Sequence, residues 1–212
     1  MRTWAIVVAA GDGARFGGAK QFVRLGGVSV VDRAVAVARD VCDGVVVVLP
    51  RDCAWDAPDG VQRAEGGATR SDSVRAGLAA IPEDTDIVIV HDAARPLASR
   101  RLFELVVQAV AGGADGAVPA LAISDTVKRV RDNRVIETVS RDGLMAVQTP
   151  QAFHAPALRA AHRVGAIDTD DAALVEANGG TVVVVEGERR NLKLTLAADL
   201  ELAEALLDGA RP

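Results

Sequence analysis

Four short segments, IVVAA at 6–10, VVVVL at 45–49, DIVIV at 86–90 and TVVVVE at 181–186, are apolar almost without interruption. A strand with one face in water alternates between apolar and polar residues, whereas a strand covered on both faces has no need to. Helical patterns separate these runs. VSVVDRAVAVARD (28–40) has apolar residues at helical spacing, and SDSVRAGLAAI (71–81) reads likewise with Ser71 as its cap. RRLFELVVQAVAGG (100–113) is an amphipathic helix closed by Gly112 and Gly113, and a last helix is expected over 196–207. Strands alternating with helices give an α/β fold, a mostly parallel twisted sheet flanked by helices, which binds ligands beyond the carboxyl ends of its strands.

One segment breaks the rhythm. SDTVKRVRDNRVIETVSRDG (124–143) is charged and β-rich, with a turn signal at Asp132-Asn133. It reads as a protruding hairpin arm, VKRV against VIETV. An isolated hairpin is marginally stable, so the arm is expected to pack on something, most simply a second subunit. No repeat or linker divides the chain, and a single domain over 1–212 is expected.

Composition excludes several classes. A net charge of −5 and the absence of a basic tail argue against nucleic acid binding, and the 3% aromatic content against a base-stacking surface. Cys42 and Cys53 are the only cysteines, without metal spacing, which suits a reducing cytoplasm. The N-terminal apolar run leads straight into Gly11-Asp12-Gly13 and is too short for a signal peptide, and no stretch is long enough to span a membrane.

The first strand empties into AAGDGARFGGAK (9–20). A Walker A loop needs G-x-x-x-x-G-K-[ST]; Gly13 and Gly18 have the interval, but Ala19 follows and Gln21 sits after the lysine. A dinucleotide fingerprint begins well with Gly11 and Gly13, but Phe16 holds the third glycine position, which removes the main support for a nicotinamide dehydrogenase. What remains is a glycine loop whose N–H groups can approach an anion, with Arg15 and Lys20 adding charge. Its bland counterpart is an ordinary β-to-α turn with solvated cations. Only three of the 24 basic residues are lysines, Lys20, Lys128 and Lys193, which suggests sites where a compact point charge is wanted.

Along the chain run AAGDGARFGGAKQF, EGGATRSDSVRAGL (65–78), HDAARP (91–96), SDTVKR (124–129), TVSRDGL (138–144), QTPQAF (148–153), DTDDAALVE (168–176) and NLKLT (191–195). That ordered series resembles the 2-C-methyl-D-erythritol 4-phosphate cytidylyltransferase family over nearly the whole chain. HDAARP, GGxxRxDSV and TPQxF are specific together, although none is so alone. The resemblance implies a Rossmann-like nucleotidyltransferase fold and a homodimer built through the β-arm. It also implies transfer of a cytidylyl group from CTP to a sugar-alcohol phosphate in non-mevalonate isoprenoid synthesis. Carried over by position, Arg15 and Lys20 would hold the triphosphate and Lys193 the α-phosphate region. Ala9, Ala10, Gly11, Gly13, Gly67, Ala68 and Ser73 would surround the nucleotide, and Asp92 would bind Mg²⁺. Arg95, Thr126, Arg141, Thr149 and Thr169 would hold the acceptor, Thr126 and Arg141 from the partner's arm. Similar enzymes have a longer glycine loop with proline before the Lys-Gln pair; here Ala19 stands there. The cyclodiphosphate synthase domain fused in some relatives is not expected after Pro212.

The chemistry needs few special residues. A phosphate monoester is already anionic near neutral pH, its second pKa being about 6, so no general base is required. The difficulty is bringing two anions together, which positioned cations relieve. Structure offers its own explanation for several candidates. Asp92 could cap the turn at Ala93 and Ala94, Ser73 and Thr169 could cap helices, and Arg95 could anchor the turn before Pro96. Thr126 and Lys128 could be solvated strand positions, and Arg141 could flank a turn. His91 reads as a packed histidine, and His154 and His162 as surface positions. A pentitol phosphate cytidylyltransferase, for instance one acting on ribitol 5-phosphate, and a catalytically silent CTP-binding module remain as alternatives.

Overall fold

Valine-rich segments with no alternation can only be buried by covering both faces of one sheet. The computed structural model, which describes residues 1–163 and 170–209, does this for the runs at 6–10, 45–49 and 86–90, whereas the run at 181–186 forms an edge strand that is only partly covered, with Val184 54% exposed. In chain order the strands are β1 (Thr3–Val8), β2 (Arg24–Leu25), β3 (Val28–Ser29), β4 (Gly44–Leu49), β5 (Val61–Glu65) and β6 (Ile87–Asp92). They continue with β7 (Gly116–Ala122), β8 (Val127–Arg131), β9 (Arg134–Val139), β10 (Met145–Val147), β11 (Gln151–His154) and β12 (Val182–Glu186). The helices are α1 (Val30–Val41), α2 (Arg70–Ala80), α3 (Arg100–Ala111), α4 (Ala155–Arg163), α5 (Asp171–Ala177) and α6 (Ala198–Asp208).

Strands β6, β1, β4 and β5 lie side by side and parallel. Beyond β6 the sheet turns mixed: β11 runs antiparallel between β6 and β7, β10 extends the same edge of β7, and β12 is parallel on its other edge. The sequence missed β10 and β11 because three- and four-residue strands show no period. Successive side chains supply the two faces. Ala5, Val7, Val45, Val47, Ile87 and Ile89 pack toward α1 and α3, with Phe103 fully buried among them. Trp4, Ile6, Val46, Val48, Val88 and Val90 pack toward α2, α4 and α5. Each fully buried aliphatic side chain contributes about 1.5–3 kcal/mol relative to exposure.

Local signals set the helix starts. Ser29 caps α1 by accepting from the Asp32 N–H, so the helix begins at Val30, and Val28 and Ser29 belong to the small β2–β3 turn. At α2 the cap is Thr69, not Ser71: its side chain accepts from Asp72 N–H while the Asp72 carboxylate accepts from Thr69 N–H, a reciprocal capping box. The arm forms as expected, with Val127 opposite Val139 and Arg129 opposite Glu137. Asp132 and Asn133 take positive φ values of 48° and 59° at its tip, as a tight two-residue hairpin turn requires. Among the described residues no helix is long and apolar enough to cross a membrane.

From β1 the chain proceeds outward to β4 and β5, then returns to place β6 on the other side of β1. That reversal opens a crevice at the carboxyl ends of β1 and β6, where open α/β sheets bind ligands. Helix α2 comes close to the sheet there because Gly77 lacks a side chain; a Cβ would lie 2.4 Å from Ile6 Cγ2. Alanine favours helices over glycine by up to about 1 kcal/mol, but overpacking costs about 1–3 kcal/mol, and buried Ile6 cannot yield. Gly77→Ala is therefore expected to lower stability on balance, read as a fall in the urea midpoint with an unchanged slope.

Candidate active site

Helix α2, the 9–20 loop, the end of β6 and the 191–195 segment enclose a cleft of about 480 Å³. The loop leaves β1 with Ala9 tied to the Val48 carbonyl and closes on Gly13, at φ 68°. A Cβ on Gly13 would fall 1.8 Å from the Gly18 carbonyl oxygen, so glycine is required for space as well as for conformation. The N–H groups of Phe16, Gly17 and Gly18 turn inward to the Gly13 carbonyl. The anion-facing character expected of the whole loop therefore rests on residues 9–13 and on the side chains of Arg15 and Lys20.

Lys20 donates through Nζ to the Leu194 carbonyl at 2.7 Å, tying the loop to the far end of the chain. Burial lowers its pKa, and Lys193 and Arg15 lower it further by repulsion. Cations gathered this way are costly alone and await a polyanion. Lys193 is itself well placed. Asn191 is fully buried and donates to the Gln148 side chain and the Thr149 carbonyl, while the Leu194 N–H reaches the Ala94 carbonyl.

Asp92 ends β6 at the centre. Arg70 Nε approaches its Oδ1 at 3.3 Å and Lys193 Nζ its Oδ2 at 2.7 Å. Burial pushes its pKa up, but Arg70 and Lys193 outweigh that and hold the carboxyl well below the usual range. Arg70 also reaches Asp171 Oδ2 at 2.6 Å, and the opposite balance holds its guanidinium charged: burial disfavours the cation, Asp171 and Asp92 more than restore it.

Behind Asp92 a relay fixes the backbone. The Asp92 N–H donates to Thr149 Oγ1 at 3.0 Å, which lies 3.1 Å from His91 Nδ1. His91 Nε2 sits 3.2 Å from the Arg95 carbonyl, an acceptor only, so Nε2 carries the hydrogen and Nδ1 accepts from the threonine hydroxyl. Burial lowers the His91 pKa to about 4. His91 is thus a packed histidine, as the sequence suggested.

A second cleft of about 240 Å³ adjoins the first, sharing Arg70, Asp92 and Lys193 with it. Arg95 and Thr149 line it. Arg95 donates to the carbonyls of Asn191 and Val147 and has no carboxylate partner among the described residues. Its Nε is buried without a hydrogen bond, and burial lowers its pKa. A half-buried guanidinium tied to carbonyls, its burial only partly offset by the Asp92 charge, and facing a cavity is suited to an anion.

The expected residues divide cleanly. Arg15, Lys20, Lys193 and Asp92 line the larger cleft, together with Ala9, Ala10, Gly11 and Gly13 from the loop and Gly67, Ala68 and Ser73 from the approach to α2. Ser73 is no cap; its hydroxyl bonds back to the Thr69 carbonyl. Thr126 and Arg141 lie exposed on the arm and line neither cleft, the Arg141 side chain bonding to the Ser124 carbonyl at the arm's base. Thr169 lies outside the described residues, and the N-cap position of α5 is taken by Asp170. His162 is buried against Asp171, contrary to the expected surface position, because α4 turns it under α5. Sequence reasoning gave no role to Arg70 or Gln148 and read Asp171 only as an acid favouring a helix N-terminus; Arg70 stood within the quoted GGATRSDSV run, where a basic residue ahead of a helix was the only signal.

A family model described as IspD: 2-C-methyl-D-erythritol 4-phosphate cytidylyltransferase matches residues 3–209. The chain belongs to this family. It is 44% identical to the 2-C-methyl-D-erythritol 4-phosphate cytidylyltransferase of Frankia casuarinae, over all of this chain and 83% of that one. It is 43% identical to the bifunctional enzyme IspD/IspF of Rhodospirillum rubrum, over 97% of this chain and 57% of that protein. The chain spans a little over half the length of several such bifunctional relatives. The crystal structure of 2-C-methyl-D-erythritol 4-phosphate cytidylyltransferase from Thermus thermophilus superposes with a TM-score of 0.85 at 37% identity, over 96% of this chain and 98% of that one. The Rossmann-like nucleotidyltransferase fold is thereby established.

His91 supplies a pH test of this site. Its folded pKa of about 4 lies below the ordinary 6.5, so the unfolded chain takes up a proton first as pH falls. The neutral ring's contribution is complete above ~6.5 and lost down to ~4, about 3 kcal/mol in all. Urea unfolding in metal-free buffer should show a shallower loss across that window for His91→Gln than for the parent chain.

Proposed function

We propose that the chain joins CTP and 2-C-methyl-D-erythritol 4-phosphate to give 4-diphosphocytidyl-2-C-methyl-D-erythritol and pyrophosphate, a step of isoprenoid synthesis. One observation carries this: a cation-lined cleft and a smaller cleft holding an unpaired arginine meet at Arg70, Asp92 and Lys193. Two phosphorylated substrates placed in them would bring phosphate against phosphate at that junction.

In this reading Arg15 and Lys20 hold the triphosphate tail, Lys193 the α-phosphate, and Arg95 the acceptor phosphate. An acceptor phosphate oxygen bonds to the α-phosphorus while the bond from that phosphorus to pyrophosphate breaks. No base is needed, because the attacking oxygen is already anionic; the buried His91 is accordingly not one. The chain's own contribution is orientation and charge compensation, the main sources of catalysis in phosphoryl transfer.

Asp92 suits a magnesium ion. Its carboxyl is held ionised, and no cluster of three or more acidic, histidine or cysteine side chains that could hold a metal occurs among the described residues. A site of one carboxylate completed by substrate phosphates is typical of this ion. Bound there, Mg²⁺ would neutralise charge on the phosphates.

The arm supports a homodimer. Val130, Val135 and Ile136 are 54%, 61% and 56% exposed on a two-stranded hairpin that gains no third strand among the described residues. Packed on a second copy, such an arm would carry Thr126 and Arg141 to the partner's acceptor cleft. A cytoplasmic setting completes the proposal and suits the free Cys42 and Cys53.

Pyrophosphate release with CTP, Mg²⁺ and methylerythritol phosphate tests the reaction. Turnover is expected, and Arg15→Ala and Lys20→Ala should each lower it by ~10²–10³. A preference for ribitol 5-phosphate would reassign the acceptor, and CTP binding without turnover on either would make this a binding module. In sedimentation, Ile136→Asp should shift a dimer toward monomer; a parent chain that sediments as a monomer would refute the shared site.

A further inference from the structure

Arg70 is the hinge between the two clefts, and one of the two carboxylates that hold it, Asp171, lines neither. It is the first residue of α2, and its side chain is 22% exposed. Nε faces Asp92 and Nη1 faces Asp171, while Nη2 has no hydrogen-bond partner among the described residues. Asp171 opens α5 and is fully buried. Its other oxygen, Oδ1, lies 3.0 Å from Nε2 of His162 on α4, itself buried. The chain His162–Asp171–Arg70–Asp92–Lys193 thus crosses α4, α5, α2, the end of β6 and the 191–195 segment.

Burying a carboxylate is costly unless its oxygens are satisfied. Asp171 lines neither the larger nor the smaller cleft. A buried ion pair is often no better for stability than apolar packing of the same volume, so the pairing of Asp171 with Arg70 asks for another account. What the carboxylate does achieve is directional. With two opposed carboxylates gripping two edges of one planar guanidinium, the third edge can point only one way. His162 in turn stops the Asp171 carboxylate from rotating.

We propose that Asp171, locked by His162, is a positioning residue that aims the Arg70 guanidinium at the phosphates meeting between the two clefts. The proposal rests on the transfer reading above. Without Asp171, Arg70 stays attached to Asp92 but is free to swing about that single contact.

The test uses the full chain, Asp171→Asn and His162→Gln, each first shown to be folded at the assay temperature. Asparagine keeps an oxygen for His162 and removes the ion pair. Asp171→Asn is expected to lower kcat by ~10- to ~100-fold, the cost of a misplaced group remote from the chemistry, and to leave both KM values little changed. His162→Gln should fall the same way by less. The Arg70 side-chain nitrogen resonances should broaden in both variants as guanidinium rotation speeds up. Unchanged kcat in folded Asp171→Asn, or an unchanged Arg70 signature, overturns the proposal while leaving the transfer reading intact. Absence of turnover by the parent chain with both acceptors removes the transfer reading, and the positioning role with it.

Discussion

The site is organised around one carboxylate that could not stay charged by itself. Asp92 stands 8% exposed at the end of a central strand, where desolvation favours protonation. Arg70 from one side and Lys193 from the other reverse that preference. Each partner is recruited from a different part of the chain, so satisfying the carboxylate obliges α2 and the 191–195 segment to converge. Much of the surrounding polar structure serves this convergence. The Thr69–Asp72 box fixes where α2 begins, and the Gln148–Asn191 bonds seat the segment that delivers Lys193.

The chain as a whole carries net negative charge, yet its cleft gathers Arg15, Lys20, Lys193 and Arg95. Local and global electrostatics therefore oppose one another. Positive side chains thus converge where the strands end although the chain as a whole is acidic. Whereas Lys193 faces the Asp92 carboxylate, two of these side chains are held by carbonyl oxygens, Lys20 by Leu194 and Arg95 by Asn191. Such acceptors orient a cation without cancelling its charge.

How much was legible in the sequence follows from what kind of signal each part leaves. Doubly covered strands such as β1, β4 and β6 announce themselves, because burial on both faces forbids polar residues. Strands β10 and β11 do not, since a few residues set between longer partners draw their stability from neighbours. Arg15, Lys20, Asp92 and Lys193 were found through motifs that lie at loop or strand ends. Arg70 and Asp171 escaped, since 101 positions separate them and nothing local marks an arginine at a helix start as an ion-pair partner. The capping of α2 was misplaced by two residues because Ser71 and Thr69 are equally good caps in isolation, and the reciprocal bond to Asp72 decides between them. His162 was assigned to the surface since its burial depends on how α4 meets α5, a tertiary fact.

The tether from Lys20 to the Leu194 carbonyl spans 174 positions. During ribosomal synthesis the glycine loop therefore emerges long before its anchor. The parallel strands β1, β4 and β5 can associate with α1 and α2 well before then, since their contacts are nearer in sequence. The loop, by contrast, has nothing to restrain its lysine until the 191–194 segment arrives, and Asp92 lacks half its compensation over the same interval. The β1, β4 and β5 portion of the sheet can thus form beside a cleft whose cations come under restraint only once the 191–194 segment has been made.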